Sequence, residues 1–243
     1  EKEYRRKDGS VFPVELRTFL IRDDAGQPAA MWAIVRDITE RKHAEEALRR
    51  ANRQLRMVSE SNQALIHLAS ESELLAAVCA VAIEIGGYRM AWVGYAEDDD
   101  ARSVTPMAHA GCDEGYLQKL RAFWAEADNG RGPVGRAIRS GRACTAQDIE
   151  SDPTMAPWHV AAREHGYAAV CALPLRAGGR TFGAFTVYSA DAGAFDSDEI
   201  GLLSALASDL AFGISALRTR SEKERAAQAL KESEFFLRRS QEV

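Results

Sequence analysis

The sequence predicts an α+β protein: short antiparallel strands alternating with helices, bracketed by long helices and preceded by a small three-stranded sheet. Three observations carry this. Residues 1–38 alternate with a period of two; from Arg41 to Gly86 runs a stretch of good helix formers without glycine or proline; beyond it, short apolar runs bounded by glycine turns alternate with capped helical segments.

In the first region Val14, Leu16, Thr18 and Leu20 fall on one strand face and Glu15, Arg17 and Phe19 on the other. Asp8-Gly9 supplies the residues of a tight turn, and Asp23 to Gly26 punctuates a second before the apolar run 29–35. Three antiparallel strands follow from this pattern. Such a sheet has an apolar face that its own residues cannot cover, so it is expected to be the end of a larger domain.

The helical run comes next. Ala44, Leu48, Ala51, Leu55, Val58, Asn62 and Leu65 are spaced alternately by four and three, the seam of a coiled coil, while the flanks stay charged. A parallel homodimer is expected. Asn62 on that seam costs stability but fixes register, since only aligned chains let one amide bond the other. The alternative is a helix lying on its own domain.

Ser70 with Glu73 is a capping box opening a helix over 71–85. Strands are expected at 88–96 and 103–110 with an acidic turn between them, and at 143–147, 168–175 and 180–189. Asp113 is placed to cap a helix through Trp124; Gly132-Pro133 opens another that stops at Gly141, and Pro157 a third that stops at Gly166. Asp196, with Glu199 three residues on and Phe195 and Ile200 as a hydrophobic staple, starts a last helix. Ile200, Leu203, Ala207, Leu210, Ile214 and Leu217 give it a second three-four stripe.

Composition narrows the function. The 243 residues carry a net charge of -5, with 46% hydrophobic and 28% charged residues. The acidic balance offers no positive groove for phosphates, so no nucleic acid partner is expected. No uncharged apolar stretch approaches the roughly 20 residues of a membrane-crossing helix, so no span is expected. The chain opens on Glu1 with no leader and reads as a piece of a longer cytoplasmic protein. Cys79, Cys112, Cys144 and Cys171 show no CxxC spacing, which favours reduced thiols over disulfides or zinc.

Two resemblances emerge from particular strings. Residues 4–40, with RRKDGSVFPVE and then DITERK, resemble the C-terminal part of a PAS domain (residues 1–40), where Asp37, Ile38 and Thr39 join the last strand to an outgoing linker helix (41–70). Residues 71–217, with GYRMAWVGYAEDD, GPVGRAIRSGRA, APWHVAAREHGYAAVCALPL and FTVYSADAGAFDSDEI, resemble a GAF domain. Residues 218–243 are similar to a linker helix leading to a following domain. The GAF resemblance implies an antiparallel sheet of five or six strands, long helices on one face and a small-molecule pocket under short helices on the other. It further implies a bacterial multidomain regulator whose output, absent here, is cyclic-di-GMP turnover or a histidine kinase.

Within that implied pocket the candidate lining is Trp92, Met107, Trp124 and Val134, with Trp158, His159, Cys171 and Tyr188 completing it. Relay and dimer contacts are expected at Asp37, Ile38 and Thr39, at Leu48, Leu55, Asn62 and Leu65, and at Leu210 and Leu217. No catalytic residue and no metal is expected: His159 and His165 lie six apart, turned roughly 240° from each other on one helix. No Cys-His pair exists for covalent bilin attachment, and the cofactor, if any, is unknown. Gly130-Arg131-Gly132 lacks the lysine and hydroxyl of a P-loop. Two rival readings stay open: some GAF proteins reduce free methionine sulfoxide with clustered cysteines, and a purely structural dimerising spacer would fill its pocket with its own side chains.

Overall fold

In the computed structural model, which describes residues 2–111 and 130–241, the chain divides into two units, Glu1–Arg53 and Gln54–Val243. The first is a sheet of β1 (Lys2–Arg5), β2 (Val11–Arg22) and β3 (Pro28–Asp37), antiparallel in that order. Its turns are pinned by aspartates: Asp8 Oδ1 accepts from the Ser10 amide at 2.9 Å, and Asp23 Oδ1 from the amides of Ala25 and Gln27. Register pairs Leu16 with Val35, Thr18 with Ala33 and Leu20 with Met31, so one face is apolar. That face is open, with Leu20 52% and Met31 71% exposed. On the other face Phe19 stacks on Trp32 at 4.6 Å. Helix α1 (Thr39–His67) begins where Asp37 Oδ1 accepts from the Thr39 amide and hydroxyl, while Arg6 holds the second carboxylate oxygen.

The second unit is the predicted α+β fold. Helix α2 (Glu71–Glu84) is capped by Ser70, whose hydroxyl accepts from the Glu73 amide at 3.3 Å. There follow β4 (Met90–Ala96), β5 (Val104–Ala110), α3 (Pro133–Ser140), β6 (Cys144–Ala146), a 3-10 turn (Pro153–Trp158), α4 (His159–Glu164), β7 (Ala169–Ala177) and β8 (Arg180–Ser189). The last element, α5, is one unbroken helix from Ser197 to Gln241, capped by Asp196 through the Glu199 amide at 2.8 Å. The strands form one antiparallel sheet in the order β5-β4-β8-β7-β6.

Alternation sorts this sheet into two cores. Ala91, Val93, Cys171, Leu173, Phe185 and Val187 face the long helices α1, α2 and α5. Met90, Trp92, Val170, Ala172, Ala184 and Tyr188 face the shorter segments α3, the 3-10 turn and α4. β7 is covered on both sides, which is why it reads as a nearly continuous apolar run.

The structure corrects several expectations. Pro157 does not open a helix: the 3-10 turn begins at Pro153, capped by Asp152 accepting from the Thr154 amide at 2.8 Å, and α4 starts at His159. The stripe of α5 is not free for a second chain, because Leu203, Ala207, Leu210 and Ile214 are buried against the sheet and Leu217 packs at its edge. By length and composition alone, one stretch of α5, within Ser197–Glu232, is long and apolar enough to cross a membrane; those same buried leucines are what make it so. The helix expected over 113–124 lies outside the described residues.

Candidate functional site

The sheet face under the short helices, where the pocket is expected, gathers part of the proposed set in one buried cluster. Trp92 and Tyr188 lie on its sheet floor, Val134 on α3 above it, and Trp158 packs partly buried at its side. The Trp92 ring lies along its own strand over Gly94, where any side chain would meet the ring at about 2.5 Å. The Tyr188 and Tyr167 rings stand 5.0 Å apart, and His165 stacks on Tyr167 at 5.7 Å. Among the described residues Glu199, on the long-helix side, is the one buried charged side chain.

Other members fall elsewhere. Cys171 faces the long helices, because in β7 the residues pointing to the chamber are its neighbours Val170 and Ala172. Met107 is 46% exposed on the edge strand β5 and is no part of the floor. His159 Nε2 meets the backbone carbonyl of Asp152 at 3.2 Å and His165 Nδ1 that of Ala161 at 2.8 Å, so both rings serve local turns. Trp124 and Cys112 lie outside the described residues. Among the described residues no three His, Cys, Asp or Glu converge as a metal set. Burial pushes the Cys171 thiol up to about 12, with Cys144 and Glu199 adding to the effect, so it is no thiolate at neutral pH.

The long-helix side carries polar chemistry that the sequence did not reveal. Glu199, 4% exposed in the first turn of α5, accepts from the hydroxyl of Tyr88, which lies two residues before β4, and from Gln54 Nε2 on α1 at 3.5 Å. Glu71, in the first turn of α2, accepts from the Tyr95 hydroxyl near the end of β4 at 2.5 Å and from Arg218 of α5 through two bonds, Nη2 at 2.7 Å and Nε at 2.9 Å. The Arg218 guanidinium also lies over the rings of Tyr95 at 4.8 Å and Phe182 at 5.2 Å. Hydrogen bonding to Arg218 holds the Glu71 carboxyl below the usual carboxylate range. Burial, then the Glu71 carboxylate, pushes the Tyr95 phenol up.

Tyr88, two residues before β4, and Tyr95 near its end are thus each bonded to a helix carboxylate, one latch reaching the incoming helix α1 and the other the outgoing part of α5. A direct contact joins the same helices: Leu65 of α1 nests over Gly213 of α5, where a methyl group would collide with it. Leu48 and Leu55 remain 70% and 72% exposed, and Asn62 is exposed as well.

The comparisons with known proteins can now be set beside this geometry. A family model described as "GAF domain" matches residues 69–215. A sensor of Methanosarcina acetivorans, named methyl sulfide methyltransferase-associated sensor, is 28% identical over 242 residues, covering 96% of this chain. The chain spans 22% of that protein's length. The GAF domain of a phosphoenolpyruvate-protein phosphotransferase from Coxiella burnetii superposes with a TM-score of 0.56 at 18% identity, over 70% of this chain and 98% of that one. A free methionine-R-sulfoxide reductase from Neisseria meningitidis superposes with a TM-score of 0.54 at 21% identity, over 68% and 89%. At these identities both likenesses concern the fold.

Proposed function

The chain belongs to the GAF family, and from that premise we propose that it is a sensory and relay module, in which a change at the short-helix face or in the incoming helix is passed to the outgoing helix. The observation that carries this is the pair of latches on β4. Gln54 of α1 is held through Glu199 to Tyr88, just before β4, and Arg218 of α5 through Glu71 to Tyr95, near the end of β4. These contacts give a shift of the incoming helix a bonded route to the outgoing one. The relative from Methanosarcina acetivorans, a sensor by name, supports the same reading.

The proposal extends to the assembly. The exposed stripe of Leu48, Leu55 and Asn62 suits a second copy of this chain in a parallel dimer, with residues 1–40 as the end of a PAS domain feeding α1. The whole protein is then a cytoplasmic regulator whose output domain, of the cyclic-di-GMP or histidine kinase type, follows α5. A methionine sulfoxide reductase reading draws on shared fold but not on Cys171, whose buried thiol faces away from the chamber.

Two measurements test the proposal. Sedimentation should show a dimer that Leu55→Lys dissociates; a wild-type monomer at high concentration contradicts the assembly. Arg218→Ala should raise hydrogen exchange in residues 219–232 several-fold while β4 and β8 stay protected. Unchanged exchange there would contradict the latch.

A further inference from the structure

Two buried polar atoms on the short-helix face have no partner among the described residues: the indole Nε1 of Trp92 and the hydroxyl of Thr186. Both side chains are 0% exposed. They are neighbours, since Trp92 and Thr186 are register partners across β4 and β8 and so share one face with their Cβ atoms roughly 5 Å apart. A buried group left without a hydrogen bond destabilises the fold. Valine would fill the space of Thr186 without that cost, so packing alone does not account for the hydroxyl.

Resting on the sensory reading above, we infer that these two atoms recognise a small, flat, uncharged ligand that carries a hydrogen-bond acceptor, such as a carbonyl, on an aromatic body. The indole N–H only donates, so the ligand must offer an acceptor. The threonine hydroxyl donates or accepts, so an amide edge, with its carbonyl beside an N–H, satisfies both atoms. The flat body follows from the rings of Trp92, Tyr188 and Tyr167 that border the pair. Neutrality follows from the buried polar residues: among the described residues Glu199 is the one buried charged side chain and it sits on the long-helix side, so a carboxylate or ammonium buried beside Trp92 and Thr186 would lose its hydration and gain no buried counter-charge. A zwitterion such as free methionine sulfoxide fits this chemistry poorly.

Trp92 and Thr186 are fully buried under the described residues, so the ligand binds a state in which the layer of α3 and α4 has given way. That gives it different affinity for two states, which a sensor requires. The pair of unpartnered atoms is what an open, ligand-bound state would satisfy.

Benzamide, benzoate and benzene are three probes of nearly one shape that differ in charge and acceptor. In 15N-labelled protein, the Trp92 indole resonance is identified by its loss in Trp92→Phe. Benzamide should move that resonance downfield, and benzoate at the same concentration should leave it in place. Benzene should bind without the downfield shift. Thr186→Val should make the ligand-free protein more heat-stable by a few degrees, since an unpaired hydroxyl is removed, while weakening benzamide about fivefold. That variant adds no bulk and keeps the test open if Trp92→Phe fails to fold. Benzoate acting as strongly as benzamide, a silent Trp92 resonance, or a Thr186→Val protein less stable than wild type would each overturn the inference. If benzamide moves Trp92 but leaves exchange in residues 219–232 unchanged, the relay reading fails and the ligand class stands. A silent Trp92 in a protein whose latch variants behave as expected gives the reverse.

Discussion

On one face of the five-stranded sheet Cys171, Leu173, Phe185 and Val187 meet long helices; on the other, the residues between them, Val170, Ala172, Thr186 and Tyr188, meet short ones. The first face is filled by aliphatic and aromatic side chains and fastened by two carboxylates with bonded partners. The second is aromatic and leaves two adjacent polar atoms, Trp92 Nε1 and the Thr186 hydroxyl, unpaired, whereas the first leaves one, the Ser61 hydroxyl on α1. The same strands therefore present a face fastened to long helices on one side and, on the inference above, a recognition face on the other. A period of two keeps those roles apart, because a residue cannot move from one face to the other without a register slip.

The largest expected effect breaks the first face. Phe185→Ala, at a side chain 1% exposed, should lower stability by about 3–5 kcal/mol in denaturant melts, whereas Trp158→Ala on the second face should cost less because Trp158 is only half-buried. Equal costs would erase the distinction. A smaller effect is expected at the helix contact: Gly213→Leu must drive Leu65 from its notch and should cost about 1–3 kcal/mol, read by the same melts, with the Trp92 resonance unchanged. A shifted Trp92 signal would mean that the two faces are not independent.

The smallest effect is one of pH. Glu71 titrates below its ordinary value of 4.5 in the folded protein, so the unfolded chain binds the proton first on acidification. The stabilisation is complete above that ordinary value and is lost as pH falls through the depressed one. Glu71→Gln should flatten this acid-side slope in thermal melts. Because the Arg218 and Glu71 side chains are 42% and 26% exposed, added salt should also weaken the wild-type effect. A slope identical in wild type and variant would place the acid sensitivity elsewhere.

The ease with which each part could be read from sequence follows the same division between local and distant causes. Ser70 and Asp196 announced their helices because a cap and its target amide lie three residues apart. The strands of both sheets were legible from alternation and glycine turns. The 3-10 turn at Pro153 was missed because Pro157 was taken as the helix opener, although Asp152-Pro153 carried the better cap signal. Placing Cys171 in the chamber ignored a parity that the run 168–175 already contained. The latches had no local signal at all: Tyr95 and Arg218 meet Glu71 from 24 and 147 residues away, and only the folded sheet brings them together. The α5 stripe, with Leu210 and Leu217 expected as dimer or relay contacts, packs on its own sheet, and a stripe buried there and one buried on a second chain look alike in sequence.

The account rests on mechanical continuity from the incoming helix to the outgoing one through β4. Tyr88→Phe removes the hydroxyl that Glu199 accepts and leaves Arg218, Glu71 and Tyr95 untouched. Hydrogen exchange of residues 219–232 in this variant, compared with wild type and with Arg218→Ala, measures that continuity. The account predicts faster exchange of the outgoing helix in Tyr88→Phe, part of the way toward Arg218→Ala. Exchange indistinguishable from wild type, in a protein whose Glu199 turn has demonstrably loosened, would contradict it.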